Sequence, residues 1–105
     1  MVAPITAVAI VVAKPGREEE LAELFAAMAE AAVADEGTDM YSVNRARKDP
    51  GRFFVYESYR DRDSLKAHAS NRVLAKLGAR LPELADSVDT IVGGWVAGDL
   101  PPRRT

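Results

Sequence analysis

Between Ile5 and Ala13 the chain reads Ile-Thr-Ala-Val-Ala-Ile-Val-Val-Ala, bounded by Pro4 and by Lys14-Pro15-Gly16. A short β-branched run closed by turn residues predicts a strand. Alternation puts Ile5, Ala7, Ala9 and Val11 on one face and Thr6, Val8, Ile10 and Val12 on the other, so both faces are largely apolar and both call for cover. The alanines of the first face leave space beside the sheet. From Arg17 to about Asp35 the period changes: Leu21, Leu24, Phe25, Met28 and Ala32 form the stripe of an amphipathic helix. Glu18, Glu19 and Glu20 fall in its first turn, where the helix dipole favours negative charge. Gly37 is placed to close the helix as a left-handed cap.

Two further strands are predicted at Met40 to Arg47 and Arg52 to Tyr59, joined by the turn signal Lys48-Asp49-Pro50-Gly51. Asp61 is placed to cap a second helix, Ser70-Asn71 to break it, and Val73, Leu74, Leu77 and Leu81 to continue a helical stripe as far as Pro82. Val88 to Ala97 reads as the last strand, with Gly93-Gly94 as a bulge or close backbone approach. Residues 98–105 read as a loose tail with Pro101-Pro102. The order β-α-β-β-α-β defines an α+β, ferredoxin-like chain: a four-stranded antiparallel sheet with its helices on one face. The sequence is read as one domain over 1–105, with its core at about 5–97.

Two helices cover one side of such a sheet. The first strand is apolar on both sides, and Phe53, Phe54, Val55 and Tyr56 are consecutive bulky residues in the third. The uncovered face is therefore expected to meet its equivalent on a second copy, giving a homodimer.

Composition narrows the chemistry. Hydrophobic residues make up 48% of the 105 and charged residues 29%, a globular balance. The formal charge of −2 speaks against a surface built for nucleic acid or anionic lipid. No cysteine is present, which removes disulfides, thiolate metal sites and thiol nucleophiles, and there is one histidine, His68. The longest apolar run, Ala7 to Ala13, is far short of the roughly 20 residues of a membrane span, and the start lacks a basic secretory n-region. A cytoplasmic protein is expected. The spacing of Asp61, Asp63 and His68 does not support a metal site, and none is expected.

Several residues then fall into a familiar sequence. Lys14-Pro15-Gly16-Arg17-Glu18 precedes the first helix, and Glu36-Gly37 with Tyr41 opens the second strand. Pro50 and Phe53 follow in the hairpin, then Tyr56-Glu57, Asp61, Leu65 and His68. As an ordered set, from about residue 5 to 97, they resemble the antibiotic biosynthesis monooxygenase family of dimeric α+β barrel proteins. The resemblance implies a pocket between sheet and helices in each subunit. It also implies, for several members, oxidation of anthrones or quinols by molecular oxygen without a cofactor. Members of the haem-degrading branch carry tryptophan where this chain has Tyr59 and asparagine near Ala9. Their proximal histidine falls near Lys76 and Leu77 here, so haem is not expected.

On this reading His68 and Tyr59 are the candidate catalytic residues. His68 is a base near neutral pH that takes a proton from a phenolic substrate, and Tyr59 is a donor to a substrate oxygen. A histidine bonded to a backbone carbonyl and a tyrosine at the sheet margin are the plainer alternatives. Glu57, in an otherwise apolar strand, is expected to pair with Arg45 or Arg47, with a proton relay as the second option. Tyr41, Tyr56 and Trp95 are candidates to line either pocket or interface. Arg80 is a candidate contact to an anionic substrate oxygen or a solvated helix residue.

The expected function is cofactor-independent oxygenation of a quinol- or anthrone-like aromatic. An isomerase on the same scaffold, or a non-catalytic ligand-binding or stress-related barrel, are the alternatives. The oxygenase requires a cavity touched by His68 and Tyr59. The non-catalytic barrel requires a small or filled pocket, with His68 packed or exposed without facing a cavity.

Overall fold

The structure is a computed structural model, described here for residues 3–100. Met1, Val2 and residues 101–105, which hold the Pro101-Pro102 portion of the expected tail, lie outside the described residues. The elements run β1 (Ile5–Ala13), α1 (Glu18–Val33), β2 (Thr38–Ala46), β3 (Asp49–Tyr59), α2 (Arg62–Ala69), α3 (Arg72–Gly78), α4 (Leu81–Leu84) and β4 (Ala85–Gly94). All neighbouring strands are antiparallel, in the order β2-β3-β1-β4. This is the ferredoxin-like arrangement expected from the sequence. No helix among the described residues is long and apolar enough to cross a membrane.

The stripe of α1 is buried as its spacing requires: Leu21, Leu24, Phe25, Met28 and Ala32 all turn inward. They pack on the β1 face made of Ala7, Ala9, Val11 and Ala13, with Phe53 and Val55 of β3 beside it. Phe25 and Phe53 meet at 5.7 Å between ring centroids. Register then fixes who shares this face. Ala7 lies opposite Glu57, Ala9 opposite Val55 and Thr90, and Val11 opposite Phe53 and Val88. Tyr41 lies opposite Glu57, Val43 opposite Val55, and Arg45 opposite Phe53.

On the other face Val8 lies between Tyr56 and Ile91, Ile10 between Phe54 and Asp89, and Val12 between Arg52 and Ser87. Nothing within the chain's helices covers it, and Phe54 and Ile91 remain 39% and 75% exposed. After Ala85, β4 is exposed along its whole length on both faces.

Four local expectations are corrected. The β2–β3 turn sits at Arg47-Lys48, and Asp49, Pro50 and Gly51 already belong to β3, with a register shift between Arg45 and Ala46 absorbing the difference. The last strand begins at Ala85 and ends at Gly94, three residues earlier than expected at each end. Gly93 and Gly94 pair regularly with Thr6 and Ile5, with no neighbour crowding either; the irregularity in that ladder lies between Val12 and Ala13. Finally, α1 is closed by Ala34 in right-handed conformation, and Gly37 has no positive φ. A side chain at Gly37 would strike Ser64, since a Cβ there would stand 2.0 Å from the Ser64 oxygen and 3.3 Å from its Cα. Gly37 is required by close approach of the β2 entrance to α2, not by backbone handedness.

The helices carrying the site are held by two side-chain caps. The Ser64 amide donates to Asp61 Oδ1 at 2.8 Å, and the Ser64 hydroxyl donates to the same oxygen at 2.8 Å. At the break after α2, Asn71 Oδ1 accepts from the Leu74 amide at 3.1 Å while its Nδ2 donates to Asp35 Oδ2 at 3.0 Å. One asparagine thus starts α3 and ties it to the end of α1. Because α2 buries no residue of its own, its cap matters more than usual. Asp61→Ala is expected to lower stability by about 1 kcal/mol, read by urea denaturation.

Candidate active site

Between the α1-facing side of the sheet and helices α2 to α4 lies a cavity of about 280 Å³. Its floor is the predicted small-residue face: Ala9 and Val11 with Val55, Val88 and Thr90 of the flanking strands. Phe25, Met28, Leu74 and Leu81 form apolar walls. Tyr41, Glu57 and His68 bring the polar chemistry to one side. Among the described residues, no lysine or arginine lines it. Val88 is 48% exposed, so the cavity's β4 side stays open.

The strand register explains the polar group. Tyr41 and Glu57 are paired across β2 and β3, and Tyr59 follows Glu57 on the same face by alternation. His68 descends from the last turn of α2. Its Nε2 stands 3.5 Å from Glu57 Oε1, and its ring packs 4.9 Å from that of Tyr59 and 6.0 Å from that of Tyr41. The Tyr59 hydroxyl donates to the same Glu57 Oε1. His68 Nδ1 is buried and has no hydrogen-bond partner among the described residues.

Both phenols are pushed upward from their ordinary range. For Tyr59 the first cause is burial and the second the hydrogen bond to Glu57; for Tyr41 burial leads and the Glu57 charge adds to it. Each phenol is thereby held in its protonated form.

The sequence-level candidates now separate. His68, Tyr41 and Glu57 line the cavity. Tyr59 is fully buried and is not among the lining residues; it stands behind Glu57. The expected pairing of Glu57 with Arg45 or Arg47 is not found. Arg45 lies opposite Phe53, four residues along the strand from Tyr41, which is about 13 Å at strand spacing. It bonds Glu19 at 2.9 Å and lies over the Phe53 ring. Tyr56 turns to the uncovered face with Val8 and Ser42. Arg80 is exposed at the start of α4, and Trp95 follows the end of β4 at 38% exposure. None of these three lines the cavity.

Sequence reading did not single out Asn71, Met28 or Thr90 as cavity residues. The signal for Asn71 was present in its position at the helix break, and that for Thr90 in its alternation with Val88. Among the described residues, no three His, Asp or Glu side chains gather as metal ligands; Asp61 is engaged by Ser64.

The fold is a ferredoxin-like α+β sheet with a largely apolar cavity under its helices and a His–Glu pair at its wall. The sequence profile of the antibiotic biosynthesis monooxygenase family matches residues 4–80, and the chain belongs to that family. Among solved structures, PA3566 from Pseudomonas aeruginosa is 25% identical, covering 92% of this chain and 98% of its own, with a TM-score of 0.85. NE2512 from Nitrosomonas europaea, a protein of unknown function, is 26% identical, covering 95% and 96%, with a TM-score of 0.81. Rv0793 from Mycobacterium tuberculosis, at 23% identity, covers 91% and 98% with a TM-score of 0.84 and shares the fold. No curated protein matches the chain.

Proposed function

We infer that this protein is a cofactor-independent monooxygenase of a quinol- or anthrone-like aromatic, acting in the cytoplasm as a homodimer. The observation that carries the reading is the cavity itself, apolar on most sides and touched by His68 beside Glu57. His68 touches the cavity and Tyr59 does not, so one of the two contacts expected for the oxygenase is present. A site of this kind binds a flat apolar ring system and presents one proton acceptor to its hydroxyl.

The chemistry needs little else from the protein. Substrate O–H gives its proton to His68, where the Glu57 carboxylate balances the arriving charge. The resulting phenolate passes one electron to dioxygen, and the radical pair combines to form a C–O bond. Cleavage of the O–O bond then releases water and leaves the quinone, so that an anthrone and O2 give an anthraquinone and H2O. Tyr41, held protonated, donates to the developing oxyanion. The test is oxygen uptake by the purified protein over a panel of anthrones and quinols. Uptake coupled one-to-one to quinone formation supports the reading, and isomerised product without uptake assigns the same base to enolisation.

The uncovered sheet face supports the dimer: Val8 and Ile10 meet Phe54, Tyr56 and Ile91 there, with Arg52 and Asp89 beside them. A second copy supplies a matching surface about a two-fold axis. Sedimentation of the wild type is expected to give twice the 11.4 kDa chain mass. The pair Phe54→Glu and Ile91→Lys is expected to shift it to the monomer without loss of helix signal.

A further inference from the structure

The notable feature of the site is that its most buried polar side chain never reaches the cavity. Tyr59 is wholly enclosed, yet it touches both members of the pair that does: its hydroxyl is donated to Glu57 Oε1, and its ring lies 4.9 Å from the His68 imidazole. The accepting oxygen is the one that stands 3.5 Å from His68 Nε2. Glu57 lines the cavity, and its Oε1 accepts from the Tyr59 hydroxyl. With Tyr59 in place one oxygen is fixed, and the imidazole is clamped between that oxygen and the phenol ring.

We propose that Tyr59 is a positioning residue that acts through Glu57 to hold the His68 ring in one orientation, with Nε2 turned to the carboxylate. This rests on the reading of His68 as the proton acceptor. It changes the role expected for Tyr59 from substrate contact to the end of a Tyr59–Glu57–His68 chain. A carboxylate that fixes the tautomer and orientation of a histidine base is an established arrangement in enzymes; here the carboxylate is itself fixed by a phenol. Tyr59 suits that task because burial and Glu57 both keep it protonated, so it donates over the whole working range. The charged and titratable groups facing the imidazole are Glu57 and Tyr59 of β3 and Tyr41 of β2. Asp35, at the end of α1, acts on Tyr59 from further away.

His68 is the only histidine in the sequence, so nitrogen-15 NMR of untagged protein reads its ring without assignment and without substrate. The wild type is expected to show a protonated Nε2 whose N–H signal is protected from exchange, and an unprotonated Nδ1. In Tyr59→Phe that signal is expected to broaden through faster exchange while the backbone amide spectrum stays folded. An unchanged imidazole N–H in the folded variant overturns the assignment. Should Tyr59→Phe lose its fold, Glu57→Ala, which removes the acceptor, probes the chain from its other member. Loss of the protected signal there supports the chain, and retention overturns it. Where a turnover substrate is in hand, Tyr59→Phe should lower kcat by roughly tenfold or more with KM nearly unchanged. A rise in KM alone returns Tyr59 to substrate contact. The NMR result stands whether or not oxygen is consumed, so failure of the oxygenase reading and failure of the positioning role are separate outcomes.

Discussion

His68→Ala is expected to lower substrate-dependent oxygen uptake by roughly 100-fold or more, the range a positioned general base supplies. The fold should survive, because α2 buries none of its residues and the His68 side chain is 20% exposed. The variant should therefore keep its circular dichroism and its affinity for a quinone product, losing turnover alone. The measurement is oxygen-electrode rate beside product binding by fluorescence quenching. Rates that survive intact would take His68 out of the chemistry and move proton acceptance to Glu57, its neighbour at 3.5 Å.

The largest stability effect outside the apolar core is expected from Gly37→Ala. The added methyl would stand 2.0 Å from the Ser64 oxygen and 2.4 Å from its Cβ. The Ser64 hydroxyl is committed to Asp61 at 2.8 Å, so moving it also loosens the α2 cap. The Gly37 carbonyl accepts from the Arg60 amide at 2.9 Å, which limits retreat from the other side. Overpacking of this kind costs about 1–3 kcal/mol. In a domain of this size each kcal/mol moves Tm by about 4–8 °C, so calorimetry should resolve it easily. Combining it with Ser64→Gly removes the side-chain clash and should recover part of the loss. A Gly37→Ala protein as stable as wild type would mean that α2 shifts freely, and with it His68.

What the sequence made readable was whatever is written in periodicity. The inward stripe of α1, the two apolar faces of β1 and the alternation placing Phe53, Val55, Glu57 and Tyr59 together were all available from spacing, and all appear in the structure. The small side chains of Ala7 and Ala9 pointed to room beside the sheet, and Ala9 does line the cavity. What spacing does not encode is who stands opposite whom. Glu57 was expected to seek a cation because Arg45 and Arg47 are near in the hairpin. The register puts Tyr41 across from it instead and sends Arg45 to Glu19. Turn chemistry misled in the same way: Asp49-Pro50-Gly51 reads as a turn, but the irregular pairing after Arg45 lets those residues join β3. Tyr56 and Tyr59 look alike as aromatic strand residues three apart, and an odd spacing sends them to opposite sides of the sheet. Gly37 carried a true signal for glycine with the wrong cause, since only the folded position of Ser64 reveals the crowding.

The cavity floor is laid by Ala9 and Val11 of β1 with Val55 of β3, whereas the proposed proton acceptors are Glu57 of β3 and His68 of α2. On that reading, depth and reactivity belong to different side chains. A methylene added at position 9 would shorten the guest without disturbing the base, and a change at position 68 would alter the reaction without reshaping the guest. Such a division lets one scaffold drift from one ring system to another in single steps, each leaving the acid–base apparatus whole.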